Sequence, residues 1–399
     1  MPGTAALGQH RIPAKTSLRT SPDRPKGTVS PWEQRGTLAF SPRQVTDMTE
    51  IARPDRGREW LASARRPAHE APGPFPATAP FPAALVNSMV ATAARAPSVH
   101  NTQPWRFRAS AYGMELIADP SRNLPHIDAT GRELLVSCGA ALFGLRLAVR
   151  EAGYLPLVCL LPDSAQPTLL ARVQLGSAAP MTSSELRLLR AMPHRHTHRG
   201  AFDPEPVAAG LLASFRADAA EEGTRLCYVD QPDQYRQLAA LVAAAGQEQD
   251  ADASALTETG SWTRPSGHAA RDGVPARAFP APGSAQAGRL AQRDFDLGRG
   301  LGQLESSSGT PSATAVLITE ADGPPDWLRA GQALHRLLLH AASRWVFASL
   351  HSQPLELPSL RAEIRARLAL PGAPQMLLQL GRAHTAAATA RRPPQDLLD

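Results

Sequence analysis

The chain repeats a pattern on itself. Gly139-Ala-Ala-Leu142 runs on to Leu145 and Leu147, and Gly331-Gln-Ala-Leu334 runs on to Leu337 and Leu339. Downstream, the first copy meets Gln174-Leu-Gly176 and the second meets Gln379-Leu-Gly381. Leucines at three- and four-residue spacing mark the apolar face of a helix. Each half thus reads as a helix opening at a glycine, followed by a strand ending in Gln-Leu-Gly. Internal self-similarity points to one structural unit used twice. The fold class it predicts is α+β, with two related halves packed as an internal pseudo-dimer. Chance recurrence in a Leu- and Ala-rich chain is the competing explanation.

The 399 residues suffice for one large or two ordinary domains, and 43% hydrophobic residues supply a core. The net charge of +6 is uneven. Residues 1–75 hold 12 Lys+Arg against 7 Asp+Glu, which leaves the remainder almost neutral. No basic stripe for nucleic acid is indicated. Three cysteines without a Cys-x-x-Cys argue against a disulfide framework and fit a reducing, cytoplasmic setting. No apolar run is long enough for a membrane helix, and the amino-terminal stretch lacks the apolar core of a secretory signal.

Residues 1–77 carry Pro, Arg, Ser and Gly without apolar periodicity and read as a disordered extension. Order is expected from about Phe81. Residues 78–190 form the first half and 191–399 the second, with a lid or loop insertion at 260–312. Helices are expected at 82–95, 132–152, 183–191, 206–220, 232–245, 326–350 and 360–368. Strands are expected at 105–107, 114–118, 157–161, 171–175, 224–229, 315–319 and 375–380, with a turn at 111–113 joining the first two.

Three constellations carry chemistry. In Ala96-Pro-Ser-Val-His-Asn-Thr-Gln-Pro-Trp-Arg-Phe107, Pro97 and Pro104 stiffen a loop, while Ser98, Asn101 and Gln103 both donate and accept. The alternative is an ordinary polar loop with a buried Trp105. In Arg195-His-Thr-His-Arg199 an extended backbone puts Arg195, Thr197 and Arg199 on one side, a pattern suited to a phosphate. A solvated basic turn is the plainer reading. The alternating His194, His196 and His198 lack a carboxylate or Cys at familiar metal-ligand spacing, so no metal is expected. Arg391 and Arg392 are either a charged tail or the completion of a phosphate clamp. No P-loop, Rossmann fingerprint, Gly-x-Ser-x-Gly or His-Glu-x-x-His is present, and no residue stands out as a catalytic acid, base or nucleophile.

These residues resemble the nitroreductase superfamily, in particular its Acg-type actinobacterial branch. The resemblance runs from about Phe81 to Leu398. It rests on the Ala96–Phe107 loop, Gly131-Arg-Glu-Leu-Leu-Val-Ser-Cys-Gly-Ala-Ala-Leu142 and Arg195-His-Thr-His-Arg199. It continues through Arg271-Asp-Gly-Val-Pro275, Asp326-Trp-Leu-Arg-Ala-Gly-Gln-Ala-Leu334, Gln353-Pro-Leu-Glu356 and Pro374-Gln-Met-Leu-Leu378. Trp345-Val346 depart from it, standing where relatives have a small Gly-containing turn.

The resemblance implies antiparallel-type sheets wrapped by helices and a non-covalent FMN between the halves. It assigns Arg195, Thr197 and Arg199 to the ribityl phosphate, with Arg391 and Arg392 beside it. Pro97, Ser98, Asn101 and Gln103 would reach the flavin ring from the other half, and Gln353 would meet its face. The chemistry would reside on the flavin, with NAD(P)H as reductant and a nitroaromatic, quinone or similar small molecule as acceptor. The alternative function is flavin sequestration with little turnover. A monomer, or a weak homodimer, is expected.

Overall fold

The two glycines of the repeat lie against each other at the centre of the fold. A Cβ added to Gly139 would stand 2.2 Å from the Leu328 carbonyl oxygen, and one added to Gly331 would stand 2.0 Å from that of Val136. The two helices that carry them therefore cross with backbone on backbone, which only glycine permits at both positions. This computed structural model describes residues 83–110, 113–280, 289–303, 311–383 and 389–399. The extension at 1–77, the start of order near Phe81 and part of the 111–113 turn lie outside them.

In chain order the first elements are α1 (Ala83–Ala93), β1 (Trp105–Ser110), β2 (Gly113–Ala118), α2 (Arg132–Glu151), β3 (Tyr154–Leu160), β4 (Leu169–Ala178) and α3 (Ser183–Ala191). Next come α4 (Ala209–Glu221), β5 (Arg225–Tyr228), α5 (Pro232–Asp250) and α6 (Ala253–Ser261). After a short parallel pair, Thr263–Arg264 with Val274–Pro275, follow β6 (Ala313–Thr319), α7 (Pro324–Ala342), β7 (Val346–Leu350), α8 (Pro358–Arg367) and β8 (Ala373–Arg382).

Two four-stranded antiparallel sheets result, in the orders β1-β2-β4-β3 and β5-β6-β8-β7. In each, a long helix (α2 or α7) joins the second strand in sequence to the third. The two windings are the same, so the fold is an α+β pseudo-dimer within one chain. Both helices are buried on nearly every face, as core helices packed between sheets must be.

Two segments outside the sheets also run along their strands. Phe107 N donates to Leu397 O (2.7 Å) and Asp399 N to Phe107 O (2.9 Å), so residues 397–399 line the β1 edge in parallel. His198 N donates to Ala348 O and Asp203 N to Arg382 O, both at 2.8 Å, which lays residues 197–203 along the second sheet. These exchanges seal strand edges that would otherwise template aggregation.

The expected helix at 326–350 ends at Ala342. Trp345 turns the chain at φ 56, and Val346–Leu350 becomes strand β7. A short apolar run such as Val-Phe-Ala-Ser-Leu has no period of its own, and sheet pairing to β8 decides it. Helix α6 was not anticipated; the Asp252 carboxylate caps it by accepting from Ser254 N and Ala255 N. A capping box of Thr182 and Glu185 opens α3. The described part of 260–312 is short elements and turns around a small apolar cluster of Val274, Ala276, Ala278, Phe279 and Phe295.

Candidate functional site

The loop after α1 is strained and tightly held. His100, Asn101 and Gln103 all have positive φ (45°, 56° and 49°), a region costing non-glycine residues about 1–2 kcal/mol each. Side-chain bonds enforce it. Ser98 Oγ accepts from Gln103 N (3.0 Å), and Ser137 Oγ of α2 accepts from Val99 N (3.1 Å). Asn101 Nδ2 donates to Gly273 O (3.0 Å) and Ala390 O (3.2 Å). Gln103 Nε2 donates to Arg271 O (2.8 Å), and its Oε1 accepts from Arg392 N (2.8 Å). One loop thus fastens residues 271–273 and 390–392 to the first half. Strain held this firmly tends to mark functional loops.

Beside the loop opens a cavity of about 800 Å³, counted out to its mouth. Its walls come from Pro97–His100, from Glu133, Val136, Ser137 and Ala140 of α2, from Thr197 and Arg199, from Gln292, Arg293 and Phe295, and from residues 350–353. Of the residues singled out by sequence, Pro97, Ser98, Thr197, Arg199 and Gln353 therefore share one cavity. Arg195 and Arg391 stand behind it, Arg195 Nη2 donating to Arg95 O and Arg391 Nη2 to Ala96 O (both 3.1 Å), the two carbonyls that precede Pro97. Asn101, Gln103 and Arg392 serve the fastening just described.

The electrostatics are one-sided. Arg195 is buried, and the Nε atoms of Arg195 and Arg391 are buried without a hydrogen-bond partner. Among the described residues neither they nor Arg199 form an ion pair with an acid. Burial, and then the nearby Arg391, push Arg195 down to about 9; burial brings Arg199 and Arg391 to about 10. All three remain cationic at neutral pH, so the site holds uncompensated positive charge. Arg199 also lies over the Phe295 ring, 5.3 Å from its centroid.

His100, His196 and His198 are neutral. Burial, and then Arg293 and Arg199, hold His100 well below its usual range. His196 and His198 are brought to about 4, burial being the main cause. Their rings stack on Phe347 and Phe202 and bond the His194 and Ala201 carbonyls. No group of three His, Cys, Asp or Glu that could hold a metal gathers among the described residues. No helix among them is long and apolar enough to cross a membrane.

Sequence reasoning missed several cavity residues: Glu133, Gln292, Arg293, Phe295 and His351. Arg293 forms a buried ion pair with Glu356. Glu133 follows a helix N-cap, where an acid is ordinary, so nothing local set it apart.

No family model matches the chain. A Mycobacterium tuberculosis H37Rv protein named "Putative NAD(P)H nitroreductase Rv3131" is 35% identical over 315 residues, covering 77% of this chain and 88% of that protein. The chain belongs to the NAD(P)H nitroreductase family. A second relative, "Putative NAD(P)H nitroreductase acg" of the same strain, is 28% identical over 314 residues, covering 77% of this chain and 93% of that protein. Among solved structures, "a putative nitroreductase" from Anabaena variabilis is 12% identical, with 79% of this chain and 94% of that chain covered at a TM-score of 0.38. "A Nitroreductase with bound FMN" from Desulfitobacterium hafniense is 15% identical, with 53% and 95% covered at a TM-score of 0.30. Within the nitroreductase family frame, the Ala96–Phe107 loop, the Arg195–Arg199 segment and residues 390–392 meet at one place in this fold.

Proposed function

We propose that this chain binds FMN non-covalently in the cavity and passes reducing equivalents from NAD(P)H to a nitroaromatic, quinone or similar small acceptor. The observation that carries the reading is the pair of guanidinium groups of buried Arg195 and half-buried Arg391, each with a buried, unpartnered Nε and, among the described residues, no ion pair to an acid. Buried cations without a counter-charge are costly, and a phosphate dianion is the ligand that relieves them. Arg195, Thr197, Arg199 and Arg391 would hold that phosphate, with Arg392 alongside. Pro97, Ser98 and Gln353 would border the ring system against the apolar side chains of Val136, Leu334 and Met376. Asn101 and Gln103 act by holding the loop in shape.

When bound, flavin supplies two-electron chemistry between the nicotinamide and the acceptor. The chain's own contribution is positive charge, exclusion of water and a rigid wall. Because both halves lie in one polypeptide, a monomer contains every residue of the site.

The test is direct. The purified chain is examined for FMN absorption, and NAD(P)H oxidation is followed with a quinone or nitroaromatic. Steady turnover supports the oxidoreductase. Bound FMN with slow release and no turnover supports sequestration instead. A chain that takes up no flavin after reconstitution refutes both.

A further inference from the structure

Glu133 is the one acid among the residues lining the cavity, and it is 3% exposed. Behind it lies a second, more open cavity whose lining includes Asp128, Arg132 and Glu356. The wall between the two cavities is built of buried charge. It holds three carboxyl groups, Asp128, Glu133 and Glu356, and two guanidinium groups, Arg132 and Arg293. Fully ionised, this group of five would carry one net negative charge. The neighbouring Asp322–Arg361 pair adds none, and Glu258 beside Asp128 adds more negative charge. His100 and His351, which line the same cavity, are neutral, Arg199 also lines it, and Arg365 lines the second cavity. Burying an unbalanced charge costs far more than retaining a proton.

The hydrogen bonds say where the proton sits. Glu356 accepts from Arg293, Gln249 and Ser352. Asp128 accepts from Leu134 N (2.8 Å) at the start of α2. Among the described residues Glu133 accepts only from Arg132 Nη2 (2.9 Å), and it lines the cavity. It is the least supported carboxylate of the three.

We propose that Glu133 carries a proton at neutral pH and delivers it to the acceptor molecule reduced in the cavity. Resting on the oxidoreductase reading, this names the acid that the reaction needs. Reduction of a quinone or nitro group takes two electrons, from NAD(P)H, and protons. In the step assigned here the Glu133 O–H bond breaks and an O–H bond forms on the acceptor oxygen. The bonding pair stays on the carboxylate, which Arg132 stabilises, and a proton taken up from bulk solvent restores the acid after each turnover. Burial, followed by the charge of Glu356, pushes the Glu133 carboxyl up, and burial pushes Asp128 up as well.

The test has a reading that needs no bound flavin. Infrared titration of the purified chain should show a carboxylic-acid C=O band that persists at pH 7, fades on the alkaline side and is missing in Glu133→Gln. Absence of that band in the wild-type chain overturns the proposal. In the flavin-loaded chain, Glu133→Gln should lower kcat by about 10²-fold with little change in KM, as expected for losing a general acid. Glu133→Asp, which keeps an acid, should recover part of the rate, and the alkaline limb of the pH profile should vanish only in the Gln variant. Flavin-loaded Glu133→Gln turning over at the wild-type rate refutes the role of Glu133 while leaving the oxidoreductase reading intact. A chain with the band but no flavin refutes the oxidoreductase reading, and the delivery step with it.

Discussion

Replacing Gly331 by Ala tests the helix crossing on which the fold turns. Its new Cβ would lie 2.0 Å from Val136 O, 2.7 Å from Ala140 N and 2.8 Å from Gly139 Cα. All three are backbone atoms of α2, so no side chain can rotate away. A relaxed C···O contact is about 3.3 Å, so α7 must withdraw from α2 by roughly 1 Å. Overpacking of this kind costs about 1–3 kcal/mol, and the rigid surroundings favour the upper end. Ala gains about 1 kcal/mol over Gly in helix propensity, which leaves a net loss of about 2 kcal/mol. Gly246 in α5 is the control, since a Cβ there meets nothing within 4 Å. Gly246→Ala should therefore stabilise by about the propensity gain, 1 kcal/mol. Urea unfolding midpoints of the two variants should move in opposite directions. If Gly331→Ala is as stable as the wild type, the close crossing is not what holds these helices. Because α2 and α7 also wall the cavity, the same variant should bind its ligand more weakly.

Further outcomes follow from the site. Arg195→Ala should weaken FMN binding by tenfold or more while affecting riboflavin little, measured by fluorescence quenching; equal losses would remove the phosphate assignment. Gln103→Leu leaves Arg271 O and Arg392 N without their partner and should cost about 1–3 kcal/mol for each group left unsatisfied. Limited proteolysis should then cut near residues 390–392 sooner than in the wild type, and an unchanged pattern would show that the fastening is idle. Glu133 binds its proton more tightly when folded, because burial raises it from 4.5 to about 8. Its contribution to stability is thus complete below about pH 4.5 and is lost as pH rises through 8. Chemical denaturation across that window should show stability falling with pH in the wild type and a flatter slope in Glu133→Gln.

What the sequence made legible was local or repeated. Glycine and leucine recur at the same spacing in α2 and α7 because both must cross a partner closely and both are core helices. Arg195, Thr197 and Arg199 alternate in a way visible without a fold. Strand β7 was hidden, since Val346–Leu350 is short, mostly apolar and sits directly after a helix. Gln103 looked like a ligand contact, yet its partners are the backbone of segments remote in sequence. Glu133 was silent for the same reason: its chemistry depends on Glu356 and Arg293, more than 150 residues away. Local pattern reports how a residue folds, whereas the state of a buried charge is set by neighbours that only the tertiary structure supplies.

The way residues 390–399 return to the first half bears on how the molecule is made. During synthesis α1, β1 and α2 emerge early, but the β1 edge stays open until Leu397–Asp399 arrive to line it. The same late stretch brings Arg391 to Ala96 and the Arg392 amide to Gln103. The first half thus stays incompletely sealed until residues 390–399 have been made. A carboxy-terminal truncation of ten residues would remove an edge of one sheet and a wall of the site together, so a chain cut short there should be lost to aggregation rather than persist as an inactive fold.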